Sequence, residues 1–148
     1  MEFSSDTFVL DASVFAKWFF VEEMSEKAIP FMEALRNQKI RVVLPEGCLL
    51  EFNSICIKKV RRRTLSLDEA LQHLDSMLGL PIVWYPDREL LDVSLENSFH
   101  FEISAYDALY VSLAEVYVAP LVTADKGLFR ACKGRFDFIE YLGDLGEK

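Results

Sequence analysis

Five short β-favouring runs, separated by stretches long enough to be helices, limit how this chain can fold more than any other feature. The runs are residues 7–10, 41–44, 81–85, 120–123 and 136–141. Between them, residues 13–20 read as a short helix and 25–37 as a longer one. Pro45 is placed to open a third, which passes through Glu51 and ends in a basic cluster. Ser66-Leu67-Asp68-Glu69 is a capping-box start, with Ser and Glu three apart. Residues 87–100 and the stretch from Ser104 onward give further helices. Strands alternating with helices of this length predict an α/β fold, a parallel sheet with helices on both faces. No linker, repeat or low-complexity segment interrupts the pattern, so residues 1–148 are expected to form one domain.

Composition supports a packed interior. Of 148 residues 51% are hydrophobic and 13% aromatic, enough for a core and too many for a disordered chain. The apolar runs fall short of the ~20 residues a membrane helix needs, and the first residues lack the basic start and apolar stretch of a signal peptide. A cytoplasmic location is the expectation. Cys48, Cys56 and Cys132 are odd in number with no C-x-x-C spacing, which reads as reduced, partly buried thiols. With them, His73 and His100 make too few soft ligands for zinc.

Four carboxylates, Asp11, Glu51, Asp107 and Asp125, each fall where a strand ends or on the first turns of a helix, without a cationic neighbour in sequence. In an open α/β sheet that rim is where ligands bind. Asp11 ends the first strand; it either caps the helix near Ser13 or, if Ser13 caps that helix itself, stays free. Glu51 lies on the flank of an apolar arc made by Cys48, Leu49, Phe52, Ile55, Cys56 and Val60; a boundary glutamate reaching solvent is the plain alternative. On the helix from Ser104, Tyr106, Leu109, Tyr110, Leu113, Ala114 and Tyr117 define a buried arc that includes Asp107, while Ala108, Ser112 and Glu115 define an exposed one. An ionised carboxylate on an inward side costs several kcal/mol unless it is paired or bound to metal. Asp125 either caps the helix after it or serves the same rim, and the two roles are compatible. Carboxylates converging at such a rim imply a divalent cation, Mg²⁺ or Mn²⁺, which takes oxygen ligands and is the usual apparatus of phosphodiester hydrolysis. Ser13 and Thr123 are hydroxyls suited to holding water or a phosphate oxygen beside it.

The formal charge of −8 argues at first against a polyanionic partner. Acids that hold metal do not present that charge to a phosphate, however. The bases are also clustered, since Lys58, Lys59, Arg61, Arg62 and Arg63 fall within six positions. With Lys126 and Arg130 they are candidates for guiding a nucleic-acid backbone; a solvated helix end is the alternative for the cluster. Trp18, Phe19 and Phe20 are adjacent and cannot all face inward from one short helix, so at least one is expected at an interface.

With those residues in hand, the chain resembles the PIN domain family, and more narrowly the VapC-like toxin ribonucleases of prokaryotic toxin–antitoxin pairs. The similarity runs over residues 8–142. Val9-Leu10-Asp11-Ala12-Ser13-Val14 is similar to the family's opening motif, and Pro45 through Glu51 to Asn53, with Arg61-Arg62-Arg63 and Glu69-Ala70 after it, to the second. Residues 104–114 are similar to the third and Leu121-Val122-Thr123-Ala124-Asp125-Lys126 to the last. The resemblance implies a three-layer α/β/α sandwich with sheet order 3-2-1-4-5. It implies a Mg²⁺- or Mn²⁺-dependent endoribonuclease with Asp11, Glu51, Asp107 and Asp125 holding one or two ions. It also implies a homodimer, inhibited by a small antitoxin whose tail enters the active groove. The alternative is a catalytically idle PIN-like module that binds RNA or protein. A receiver domain or a dehalogenase-like phosphatase fits poorly, because Ser13 stands where the phosphatase motif needs a second Asp.

Overall fold

The computed structural model describes residues 2–146. Five strands, β1 (Thr7–Leu10), β2 (Arg41–Pro45), β3 (Val83–Tyr85), β4 (Leu121–Thr123) and β5 (Ile139–Tyr141), form one sheet. All pairings are parallel and the order is β3-β2-β1-β4-β5, as the resemblance implies. Every residue of β1 is buried. Successive side chains of a strand point to opposite faces, so a fully buried central strand means that helices cover both sides.

Among the described residues seven helices do this: α1 (Ala12–Phe15), α2 (Ser25–Arg36), α3 (Cys48–Arg61), α4 (Leu67–Gly79), α5 (Leu91–Phe101), α6 (Ala105–Tyr117) and α7 (Lys126–Cys132). α6 packs on β1 and β2 and against α5, and α3 packs on α4. The core runs through Phe8, Leu10, Phe15, Phe31, Leu44, Phe52, Met77, Leu113 and Leu121. Cys48, Cys56 and Cys132 are free and buried within it. Among the described residues no helix is long and apolar enough to cross a membrane.

Several local expectations change. Pro45 ends β2 rather than opening α3; it pairs with Tyr85, and the Glu46 N–H carries the ladder on to the Tyr85 carbonyl at 2.9 Å. The fixed φ of proline suits a strand end as well as a helix start. The helix expected over 13–20 is a single turn, α1, continued by a 3-10 turn over Ala16–Trp18, and 87–100 likewise opens with a 3-10 turn over Asp87–Leu90. On α6, Tyr106 is exposed while Ala108 and Ser112 are wholly buried, against the predicted arcs. The helix is enclosed on two sides. The sheet takes one face and α5 the other, where Asn97 donates to Ser112 Oγ at 3.0 Å and to Glu115 Oε1 at 2.6 Å. The capping box at Ser66 forms in full, with reciprocal bonds of 3.0 and 3.1 Å to Glu69.

Strand order reverses at the β1–β4 boundary, with β2 and β3 on one side and β5 on the other. The connections leaving β1 and β4 therefore diverge, and in folds of this kind that is where a ligand crevice lies. Asp11 follows β1 and Asp125 follows β4.

Candidate active site

Asp11 sits at the centre of the crevice and is 4% exposed. It occupies the N-cap position of α1 yet makes no side-chain capping bond, which decides against the capping role. Its oxygens instead accept from Ser13 Oγ and Thr123 Oγ1, each at 2.5 Å. Those hydroxyls are themselves anchored by the backbone after β4. The Ala124 N–H donates to Ser13 Oγ at 2.8 Å, and the Asp125 N–H to Thr123 Oγ1 at 3.0 Å. A relay of amide, hydroxyl and carboxylate thus ties the ends of β1 and β4 together. Both hydroxyls donate to Asp11 and so orient this carboxylate.

Glu51 projects from the first turn of α3, and its Oε1 accepts from Tyr110 OH at 2.8 Å. Tyr110 was read only as a core residue. A buried tyrosine needs a partner for its hydroxyl, and that requirement was the available signal for its positioning role. Asp107 is half-buried in the first turn of α6, whose N-cap Ser104 Oγ accepts the Asp107 N–H at 3.0 Å. Asp125 is exposed and caps α7, its Oδ1 accepting from the N–H groups of Gly127 at 2.8 Å and Leu128 at 3.2 Å. Both capping bonds use Oδ1, which leaves Oδ2 outside the cap. Asp87, past the end of β3, is a further rim acid that the sequence reading missed as such. It accepts the Gly47 N–H at 3.0 Å and lies within electrostatic reach of Glu51.

These acids feel one another. Burial pushes the Asp11 carboxyl up from 3.8 to about 7; its two hydroxyl donors oppose this, and the charges of Asp107 and Asp125 add to it. Burial also raises Glu51, with Tyr110 opposing and Asp107 and Asp87 adding. Burial raises Asp107, a bond from Ser104 opposes, and Asp125 adds. Tyr110 is pushed well up by burial and by Glu51, so it remains a donor. Among the described residues none of the four acids makes an ion pair; the bridges present join Glu22 to Lys17 at 3.3 Å and to Lys59 at 4.0 Å.

Mutually repelling carboxylates in a half-buried crevice, with no base to neutralise them, are the electrostatic complement of a cation. The donors are hard oxygens, which suit Mg²⁺ or Mn²⁺ rather than zinc. Among the described residues no three acidic, histidine or cysteine side chains close into one ligand group.

The remaining predicted residues divide. A groove of about 300 Å³ starts at Ala12 and Ser13 and runs past Ala16, Glu22 and Ile55 to Lys58, Lys59 and Arg62. Arg63 lines a separate depression with Thr64, Ser66 and Glu69. Lys126 and Arg130 are exposed on α7, next to Asp125 in sequence. Of the three aromatics expected at an interface, Trp18 is withdrawn from it. It is 7% exposed, and its indole N–H donates to the Ala28 carbonyl at 3.0 Å, because the 3-10 turn aims it beneath α2. Phe19 and Phe20 are half-buried and pack on Phe52 and His73.

A family model, described as the PIN domain, matches residues 8–134. No curated protein matches the chain. Among solved structures, PAE2754 from Pyrobaculum aerophilum superposes with a TM-score of 0.68 at 22% identity, covering 94% of this chain and 85% of its own. FitAB, solved bound to an IR36 DNA fragment, gives a TM-score of 0.55 at 15% identity, covering 91% and 94%. At such identities both likenesses speak to the fold alone.

Proposed function

The chain belongs to the PIN domain family, whose members are typically metal-dependent nucleases, and from that premise we propose that it is an endoribonuclease, the toxin of a VapBC-type pair. One observation carries the reading: Asp11 is buried at the strand-order reversal, electrostatically coupled to Asp107 and Asp125, and has no basic partner among the described residues.

Asp11, Glu51, Asp107 and Asp125 are the proposed catalytic acids and the ligands of one or two Mg²⁺ or Mn²⁺ ions. Bound divalent cation supplies acidified water as a nucleophile and offsets charge that develops on the phosphate. The chain's own groups prepare the site. Ser13 and Thr123 fix both oxygens of Asp11, so the carboxylate is oriented before any cation or substrate arrives. Tyr110 holds Glu51 turned into the crevice and favours its ionised form. Asp125 presents its Oδ2 while its Oδ1 anchors α7. Asp11 is largely buried, which strengthens its electrostatic interactions with the neighbouring acids.

The same resemblance extends the proposal to a single-domain cytoplasmic protein that forms a homodimer and is silenced by a small antitoxin. Full retention of the acids speaks against the idle-module alternative. The experiment incubates the purified protein with single-stranded RNA and DNA of one sequence, in Mg²⁺ and in chelator, with Asp107→Asn as control. RNA cleaved only with Mg²⁺ and only by the parent chain supports the proposal. Equal cleavage by Asp107→Asn, or cleavage of DNA alone, overturns it; FitAB was solved with DNA, which makes that arm necessary.

A further inference from the structure

The basic cluster at the end of α3 is not one surface. Glu51, Ile55, Lys58 and Arg62 lie at i, i+4, i+7 and i+11, a single stripe of the helix and its first C-terminal residue. The stripe that presents Glu51 to the crevice therefore continues as a basic one. At about 1.5 Å per residue, Lys58 stands roughly 10 Å and Arg62 roughly 16 Å beyond Glu51 along the axis. The groove that begins at Ser13, whose hydroxyl holds Asp11, is floored by this same stripe. Arg61 projects to the side of it, and Arg63, left-handed at φ 61°, belongs to another depression.

We propose that Lys58 and Arg62, flanked by Lys59, form a phosphate subsite for the single strand that runs away from the catalytic acids. The placement relative to a cut bond rests on the nuclease reading above; the subsite itself does not. Three cations line the groove against one carboxylate, Glu22, and that carboxylate is shared with the buried Lys17. Lys59 is partly committed, with its ammonium 4.6 Å from the Phe20 ring centroid and 4.0 Å from Glu22. Lys58 and Arg62 are exposed and make no ion pair among the described residues. Two uncommitted cations spaced along one stripe fit successive phosphates of an extended chain. Phosphate contacts of this kind position a strand without reading its sequence.

The test measures binding of a fluorescein-labelled uridine 12-mer to the full chain by anisotropy, in chelator, across a salt series. Lys58→Ala with Arg62→Ala is expected to weaken binding at low salt about tenfold or more. It should also reduce the slope of log K against log salt by about 1.4, at roughly 0.7 per phosphate contact on a single strand. Arg61→Ala with Arg63→Ala removes equal charge from the same helix end and is expected to weaken binding less than twofold. All four side chains are exposed, so folding is not at stake. Equal losses for the two pairs overturn the subsite, as does equal affinity of the parent chain for polyglutamate, which would mark an acidic protein segment as the occupant. Loss of binding specific to the Lys58 and Arg62 pair, in a protein that cleaves nothing with Mg²⁺, keeps the subsite and removes the nuclease reading. Where cleavage is seen, the same pair should raise KM with kcat little changed.

Discussion

Replacing Asp11 by Asn should make the metal-free protein more stable, although it removes the most buried acid of the site. The carboxyl titrates at about 7 in the fold against an ordinary 3.8, a gap of about three pH units. At about 1.4 kcal/mol per unit, holding it ionised above pH 7 costs about 4 kcal/mol. The sign follows from proton counts. Between pH 4 and 7 the folded state holds a proton that the unfolded chain has lost, so stability falls as pH rises and levels off above about 7. Asn is never charged, but its amide must face one of the hydroxyls that now donate to Asp11, which gives back about 1–2 kcal/mol. The net expectation at pH 8 in chelator is a gain of about 2–3 kcal/mol, or roughly 5–10 °C in Tm for a chain of this size. At pH 5 the parent carboxyl is protonated in the fold, and the advantage should fall to about zero. Saturating Mg²⁺ should reverse the order at pH 8, raising the parent's Tm and leaving the variant's where it was. Since cation and proton compete for Asp11, cation affinity should also drop toward tenfold per pH unit below 7. Circular-dichroism melts at the two pH values, with and without Mg²⁺, measure all of this. An Asn variant less stable than the parent in chelator at pH 8, with an unchanged pH profile, would refute the claim that a buried uncompensated charge is held there.

Tyr110→Phe deletes the donor to Glu51; kcat is expected to fall while stability drops by about 1 kcal/mol, and the acid limb of the pH–rate profile should move up because the charged form of Glu51 loses support. Thr123→Val keeps the shape but strips a donor from Asp11 and an acceptor from the Asp125 N–H, so a loss of about 1–3 kcal/mol is expected in chemical denaturation. Ser66→Ala breaks the capping box of α4 and should cost about 1 kcal/mol in the same assay without altering kcat. Asp107→Asn together with Asp125→Asn should tighten metal-free binding of a single-stranded oligonucleotide, because two charges that repel phosphate are removed from the rim; weaker binding in anisotropy would count against the rim lying on the strand's path.

Signals confined to neighbouring residues were legible. The Ser66–Glu69 box depends on four residues and formed as written, and each β-favouring run became a strand, though shorter at β3, β4 and β5. Pro45 misled because one fixed dihedral serves both a strand end and a helix start, and only pairing with β3 distinguishes them. The arcs on α6 failed for a related reason. A helical wheel separates inside from outside for a helix with one buried face, whereas α6 lies between the sheet and α5. The four acids stand out in sequence because each abuts a strand end or helix start, and in the fold Asp11 feels Asp107 and Asp125 while Glu51 feels Asp107. What each carboxylate touches was not legible in sequence. The Ser13 and Thr123 bonds to Asp11 join residues up to 112 positions apart, and Tyr110 reaches Glu51 across 59. Trp18 shows the limit from the other side, because a 3-10 turn rotates its ring under α2 where a regular helix would not.

A charge of −8 does not contradict the proposed polyanionic substrate once the charges are located. Asp11, Glu51, Asp107 and Asp125 account for four of the negative charges, and they share the rim with Asp87. One or two dications would cancel two to four of them at the place where a phosphate must approach. Just beyond, the groove is positive. Screening at physiological salt confines each field to about 8 Å, so an approaching strand senses the local stripe of Lys58 and Arg62 rather than the distant acids. On the proposed reading, affinity and catalysis would answer to different groups on one helix, the basic end of α3 to the backbone and Glu51 near its start to the cation. Because the rim repels phosphate until a cation is present, the strand can be held in the groove without being drawn over the acids in a cation-free site. If both functions lie along a single stripe, the helix itself would be the ruler between the held phosphate and the cut one.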